Sequence, residues 1–126
     1  MRRDERVVSC DGVNARALTR EHVLETPMAV TIDVSFIGLK LALPPALSLA
    51  GSGAWLVALV KPQFEVGKFA VGRGGIVKDA EAREAAVKAV TDWVADQAGW
   101  TVAGRMESPI EGGDGNREYL IAAKKV

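Results

Sequence analysis

Among its 126 residues the chain has one cysteine, one histidine and one tyrosine, and no surplus of charge: 16 Lys and Arg stand against 16 Asp and Glu. The lone Cys10 excludes an internal disulfide framework and agrees with a reducing, cytoplasmic setting; it reads as a buried apolar residue. The lone His22 leaves a histidine-based metal centre or a Ser-His-Asp triad without its parts, so no metal is expected. Zero net charge removes any global attraction to nucleic acid, and such a role would need a local basic patch. The start, MRRDERVV, is charged and leads into no apolar signal-peptide core. What is present, 48% hydrophobic and 25% charged residues, is the make-up of one globular domain.

Between Lys40 and Lys61 lie twenty residues without a charge, LALPPALSLAGSGAWLVALV. The length suits a membrane span, but Pro44-Pro45 and Gly51-Ser52-Gly53 break it. Two buried elements joined by a turn account for it better, and no membrane association is expected.

Hydrophobic periodicity orders the rest. Val7-Val8-Ser9 is a short β-like run, and Thr19 to Leu24 suits one helical turn. Met28 to Asp33 (MAVTID) reads as a strand buried on both faces. Phe36 to Leu49 carries Leu39, Leu43 and Leu47 at helical spacing, with Pro44-Pro45 bending or splitting the helix. Ala54 to Val60 is the clearest strand, and residues 61–78 are a glycine-containing loop. A helix follows from an Asp79 N-cap to a Gly99 stop, with Ala86, Val87, Val90, Trp93 and Val94 on one face. Trp100 to Met106 and Glu118 to Ala123 are the last strands, separated by a polar loop. Trp55, Trp93 and Trp100 read as core. The order is β, β, α, β, α, β, β: an α/β fold with a mainly parallel sheet and an antiparallel edge.

In open α/β sheets, ligands bind beyond the carboxyl ends of parallel strands. Asp33 and Lys61 stand at two such ends, where they form either a structural ion pair or a device that holds a hydroxyl proton. If the last strand returns antiparallel, Glu118 begins it at the same rim. Residues 61–78 hold Lys61, Lys68, Arg73 and Lys78 against Glu65, a local charge of plus three. Such a loop suits a phosphodiester backbone, or is simply solvated. Gly72-Arg73-Gly74-Gly75 does not join a strand directly to a helix, as a phosphate cradle requires.

The segments DGVNAR (11–16), VTIDVSFIGL (30–39), LVKPQFEVGK (59–68), GIVKD (75–79) and SPIEGGDGNREYL (108–120) occur in order. Together they resemble the haemolysin A (TlyA)-type RNA methyltransferases, relatives of the FtsJ-like ribose 2′-O-methyltransferases, over essentially the whole chain. The resemblance implies a Rossmann-like domain that uses S-adenosylmethionine to methylate a ribose 2′-hydroxyl of ribosomal RNA. It implies that Asp33, Lys61 and Glu118 are three of four catalytic residues, and that Asp11, Gly12 and Asn14, with Asp33, border the cofactor. Lys68, Arg73 and Lys78 would then face RNA.

The chain also departs from that pattern. The family's first catalytic lysine, its glycine-rich cofactor loop and its S4-type RNA-binding domain have no counterpart here, and Gly51-Ser52-Gly53 precedes a strand instead of following one. The expectation is a partial methyltransferase domain lacking its N-terminal strands, inactive alone, with an open sheet edge at residues 7–9 that permits a homodimer. The alternatives are a non-catalytic RNA-binding module and a membrane-active haemolysin.

Overall fold

The computed structural model describes residues 3–66, 75–112 and 115–126. A four-stranded mixed sheet, in the order β1-β2-β4-β3, organises the chain. β1 (Ala29–Ile32) and β2 (Trp55–Val60) are parallel, and β4 (Tyr119–Lys125) runs antiparallel to both β2 and β3 (Trp100–Glu107). The parallel part is thus the β1–β2 pair, and the antiparallel edge is two strands deep.

Strand alternation decides what is buried. Leu56, Ala58 and Val60 of β2 and Ile121 and Ala123 of β4 point into one core. Three helices cover that face. α1 (Leu39–Ala42) and α2 (Pro44–Leu49) are the expected helix divided at Pro44, whose ring fits a first helical turn but not a helix interior. They supply Leu39, Leu43 and Leu47, and α3 (Ala80–Asp96) supplies Val87, Val90 and Val94. Asp79 caps α3, its carboxylate accepting the Glu81 N–H at 2.9 Å. Lys125 of β4 donates to the carbonyls of Leu47 and Ala50 at 2.9 and 2.6 Å, closing the C-terminal end of α2. The charge-free 41–60 run is therefore the end of α1, α2, a turn and β2, and among the described residues no helix is long and apolar enough to cross a membrane.

The opposite face of the sheet is less covered, and four expectations are corrected. β1 is an edge strand: Val30 and Ile32 pack on the core while Ala29 and Thr31 are exposed, so it is not buried on both faces. Trp55 lies 48% exposed on the outward side of β2, whereas Trp100 is buried and Trp93 packs against the core. Residues 7–9 form no strand, and Val8 is almost wholly exposed; among the described residues the sheet's edges are β1 and β3. Cys10 is exposed, not buried. For β1 the reason is its place at the sheet edge, with β2 as its one strand neighbour among the described residues.

Candidate active site

The β1–β2 register pairs Ile32 with Ala58, so both strands end at one rim. Asp33 follows β1 immediately and Lys61 follows β2. Lys61 Nζ lies 2.6 Å from Asp33 Oδ1 and donates to Ser35 Oγ at 3.1 Å. The lysine side chain is 15% exposed and the aspartate 68%. The ammonium is thus sheltered but held by a partner open to solvent. An exposed ion pair of this kind adds little to stability, so its main consequence is to fix where the positive charge sits.

Glu118 reaches the same rim through antiparallel pairing. Val60 pairs with Tyr119, which puts Glu118 across from Lys61. Glu118 is only 6% exposed. Its Oε2 accepts the Gln63 side-chain N–H at 2.9 Å, and Gln63 lies in the single 3₁₀ turn Pro62–Phe64 directly after Lys61. The loop before β4 is drawn around it: Asn116, itself buried, accepts the Val77 N–H at 3.0 Å and donates to the Gly75 carbonyl at 2.8 Å. Asn116 thus ties residues 75–77, ahead of α3, to the strand start that carries Glu118.

The segment between β1 and α1 adds two features that the sequence reading missed. Phe36 adopts φ 65°, a left-handed conformation costly for a residue with a Cβ, and is 89% exposed. Its ring lies 4.9 Å from that of Phe64, tilted by 54°. The helix expected to start at Phe36 starts instead at Leu39, whose N–H donates to Glu65 Oε1 at 2.8 Å. Burial pushes the Glu65 carboxyl above the ordinary carboxylate range, against the Leu39 N–H and the Lys40 charge, which favour its ionised form.

A prediction arises from this remote cap. Glu65→Ala should cost about 0.5–2 kcal/mol, as loss of an N-cap acceptor does, while Glu65→Gln should retain most of the stability in urea denaturation. Because the folded carboxyl titrates above its ordinary value of 4.5, the stability it contributes is fullest below that pH and falls as pH rises through the folded value. Glu65→Gln should flatten that part of the stability–pH profile; an unchanged slope would contradict the assignment.

The remaining sequence-predicted residues stand on other segments of the chain. Asp11, Gly12 and Asn14 are exposed in the segment before β1. Asp11 accepts the Ser9 hydroxyl, and Asn14 caps a single 3₁₀ turn, Ala15–Ala17, that abuts α1 and α2. That segment also encloses an open cavity of about 890 Å³ lined by Val8, Cys10, Val13, Leu18 and His22. Lys78 is exposed just before α3, and Lys68 and Arg73 fall outside the described residues. Among the described residues no cluster of His, Cys, Asp and Glu is placed to hold a metal. The missed residues, Ser35, Phe36, Gln63, Glu65 and Asn116, all stand inside the segments VSFIGL, KPQFE and IEGGDGN; their motif membership was the available signal.

Two parallel strands thus end in an acid and a lysine, and an antiparallel strand returns a glutamate to the same rim, in a mixed sheet covered by helices as in an α/β fold. The FtsJ-like methyltransferase model matches residues 1–125, and the chain belongs to that family. It is 44% identical over 121 residues to the 16S/23S rRNA (cytidine-2′-O)-methyltransferase TlyA of Mycobacterium tuberculosis, covering 96% of this chain and 45% of that protein. It is 36% identical to Hemolysin A of Brachyspira hyodysenteriae, covering 95% of this chain and 50% of that protein. A solved structure from Streptococcus thermophilus, named only as a hemolysin candidate, superposes with a TM-score of 0.91 at 40% identity, covering 99% of this chain and 45% of the other. The chain spans about half the length of the curated relatives it matches.

Proposed function

We propose that these residues carry the methyl-transfer rim of an RNA ribose 2′-O-methyltransferase acting on ribosomal RNA. The observation behind this reading is the Lys61 ammonium, 2.6 Å from Asp33 at the ends of two parallel strands, with Glu118 in register across from it. Lys61 lowers the cost of negative charge on the 2′-oxygen, whose proton is released to solvent as the oxygen–methyl bond forms. Asp33 orients the ammonium, and Glu118 orients the hydroxyl. S-adenosylmethionine, when bound, supplies an electrophilic methyl group on sulfur. Asp11, Gly12, Asn14 and Asp33 are the residues that would hold it, and their chemistry fits. Exposed carboxylates accept from hydroxyl and amino groups, and Gly12 at φ 76° has open space where a Cβ would stand.

On the RNA side, Lys68, Arg73 and Lys78 follow the phosphodiester backbone, and the exposed ring of Phe36, carried on a left-handed backbone, offers a surface for a nucleobase. Base–aromatic stacking contributes about 1–3 kcal/mol per base, whereas the left-handed backbone costs a non-glycine residue about 1–2 kcal/mol. Phe36→Gly should therefore be at least as stable to heat as the parent while weakening RNA binding by about 5- to 100-fold. Equal RNA affinity would remove Phe36 from the interface.

These residues are also proposed to be one part of a larger methyltransferase domain, cytoplasmic in setting, whose cofactor loop and S4-type RNA-binding domain lie outside them. The exposed edge of β1 is where further strands would add, and in isolation a second copy of the chain would pair there. The expected result is no low-micromolar binding of S-adenosylmethionine to the 126 residues by calorimetry, and no turnover. Binding and methylation of ribosomal RNA should appear once the chain is joined to the part of the mycobacterial relative it does not match. Tight cofactor binding by the 126 residues alone would overturn the partial-domain reading. Steeply salt-dependent RNA binding with no methylation by the joined protein would favour a non-catalytic RNA-binding module.

A further inference from the structure

Gln63, two residues after Lys61, ties Glu118 to the turn that carries the lysine. Lys61 is followed by Pro62, whose ring fixes φ. The turn is then closed by the N–H groups of Phe64, Glu65 and Val66 donating to the carbonyls of Lys61, Pro62 and Pro62 at 2.9, 3.0 and 3.0 Å. Lys61 and Gln63 therefore sit on one rigid turn. From it, Gln63 Nε2 donates to Glu118 Oε2 at 2.9 Å.

Two further observations set this bond apart from ordinary packing. Among the described residues the buried Gln63 Oε1 has no hydrogen-bond partner, a cost that an apolar side chain of the same size would avoid. Packing alone thus does not call for an amide here. The donor is also neutral: it orients the carboxylate through a charge-assisted bond without cancelling its charge, as a lysine or arginine would.

We propose that Gln63 is a positioning residue for methyl transfer, fixing the Glu118 carboxylate relative to the Lys61 ammonium. This rests on the methyltransferase reading above. Gln63 itself touches neither reacting group; it acts by holding Glu118.

The chain contains two glutamines, Gln63 and Gln97, so side-chain amide spectra of glutamine-labelled protein give two pairs of signals, one pair from each NH2 group. Gln97 donates to the Trp93 carbonyl and serves as the internal control. In the 126-residue chain, the Gln63 amide proton should lie downfield and lose that displacement in Glu118→Ala, with the Gln97 signals unmoved. An unshifted Gln63 signal would overturn the contact. In the joined protein, Gln63→Met keeps the volume and removes the amide. It should lower kcat by about a hundredfold with KM for RNA nearly unchanged, and should add nothing further in a Glu118→Ala background. A fully active Gln63→Met enzyme would overturn the proposal alone. A joined protein inactive before any substitution would overturn the methyl-transfer reading and this inference with it.

Discussion

Lys61→Ala in the joined protein should reduce methylation of ribosomal RNA by about 10²- to 10⁴-fold, the range for removing a positioned charge from a developing oxyanion. The fold should survive. Lys61 is largely sheltered, but its partner Asp33 is 68% exposed and can be solvated once the ammonium is gone. Removing an ion pair with an exposed member changes stability by no more than about 1 kcal/mol. Lys61→Arg is the sharper control: it keeps the charge but replaces a compact ammonium by a planar fork that cannot occupy the same place between Asp33 and Ser35. It should be nearly as slow as the alanine variant. Single-turnover rates on ribosomal RNA, with melting temperatures measured in parallel, test both. Retained activity in Lys61→Ala would remove the lysine from its role and reduce the pair with Asp33 to a structural contact.

The path from sequence to this rim was short where local chemistry decides the outcome. β2 ends at Val60 because its apolar run meets the Lys61 charge and then Pro62; α3 begins at Ala80 because the Asp79 carboxylate caps the first turn. An antiparallel β4 puts Glu118 near Lys61, and the register pairs Val60 with Tyr119. What escaped was set by approach in three dimensions. Periodicity extends the helix back to Phe36, but Glu65, 26 positions beyond Leu39, captures the Leu39 N–H and starts the helix there. Phe36 is then left at positive φ with its ring outside. MAVTID and AWLVALV look alike in hydropathy, yet β2 has neighbours on both sides and β1 on one; no pattern within either segment distinguishes them. The pairing of Gln63 with Glu118 spans 55 positions and has no local signature.

Gly112→Ala should separate site geometry from fold stability more cleanly than any change to a charged residue. A Cβ at position 112 would lie 2.0 Å from Glu118 Oε2 and 2.9 Å from Oε1, far inside van der Waals contact, so the carboxylate must leave its place. The atoms in conflict are the far end of a flexible side chain, and φ at Gly112 is not among the positive values. Alanine is therefore tolerated by the backbone, and the glutamate swings away at small cost to the fold. Its bond to Gln63 is lost with it. The expected result is a methylation rate reduced about as far as by Glu118→Ala, on the order of a hundredfold, with a change in stability within about 1 kcal/mol. Two further readouts fix the cause: the displaced Gln63 amide resonance should collapse as it does in Glu118→Ala, and the double variant should be no slower than either single one. A fully active Gly112→Ala enzyme would mean that the position Glu118 holds in this structure is not the one that serves the reaction. A variant that unfolds would instead place Gly112 in the packing of the loop, which Asn116 closes by accepting the Gly112 N–H on its backbone carbonyl at 2.8 Å.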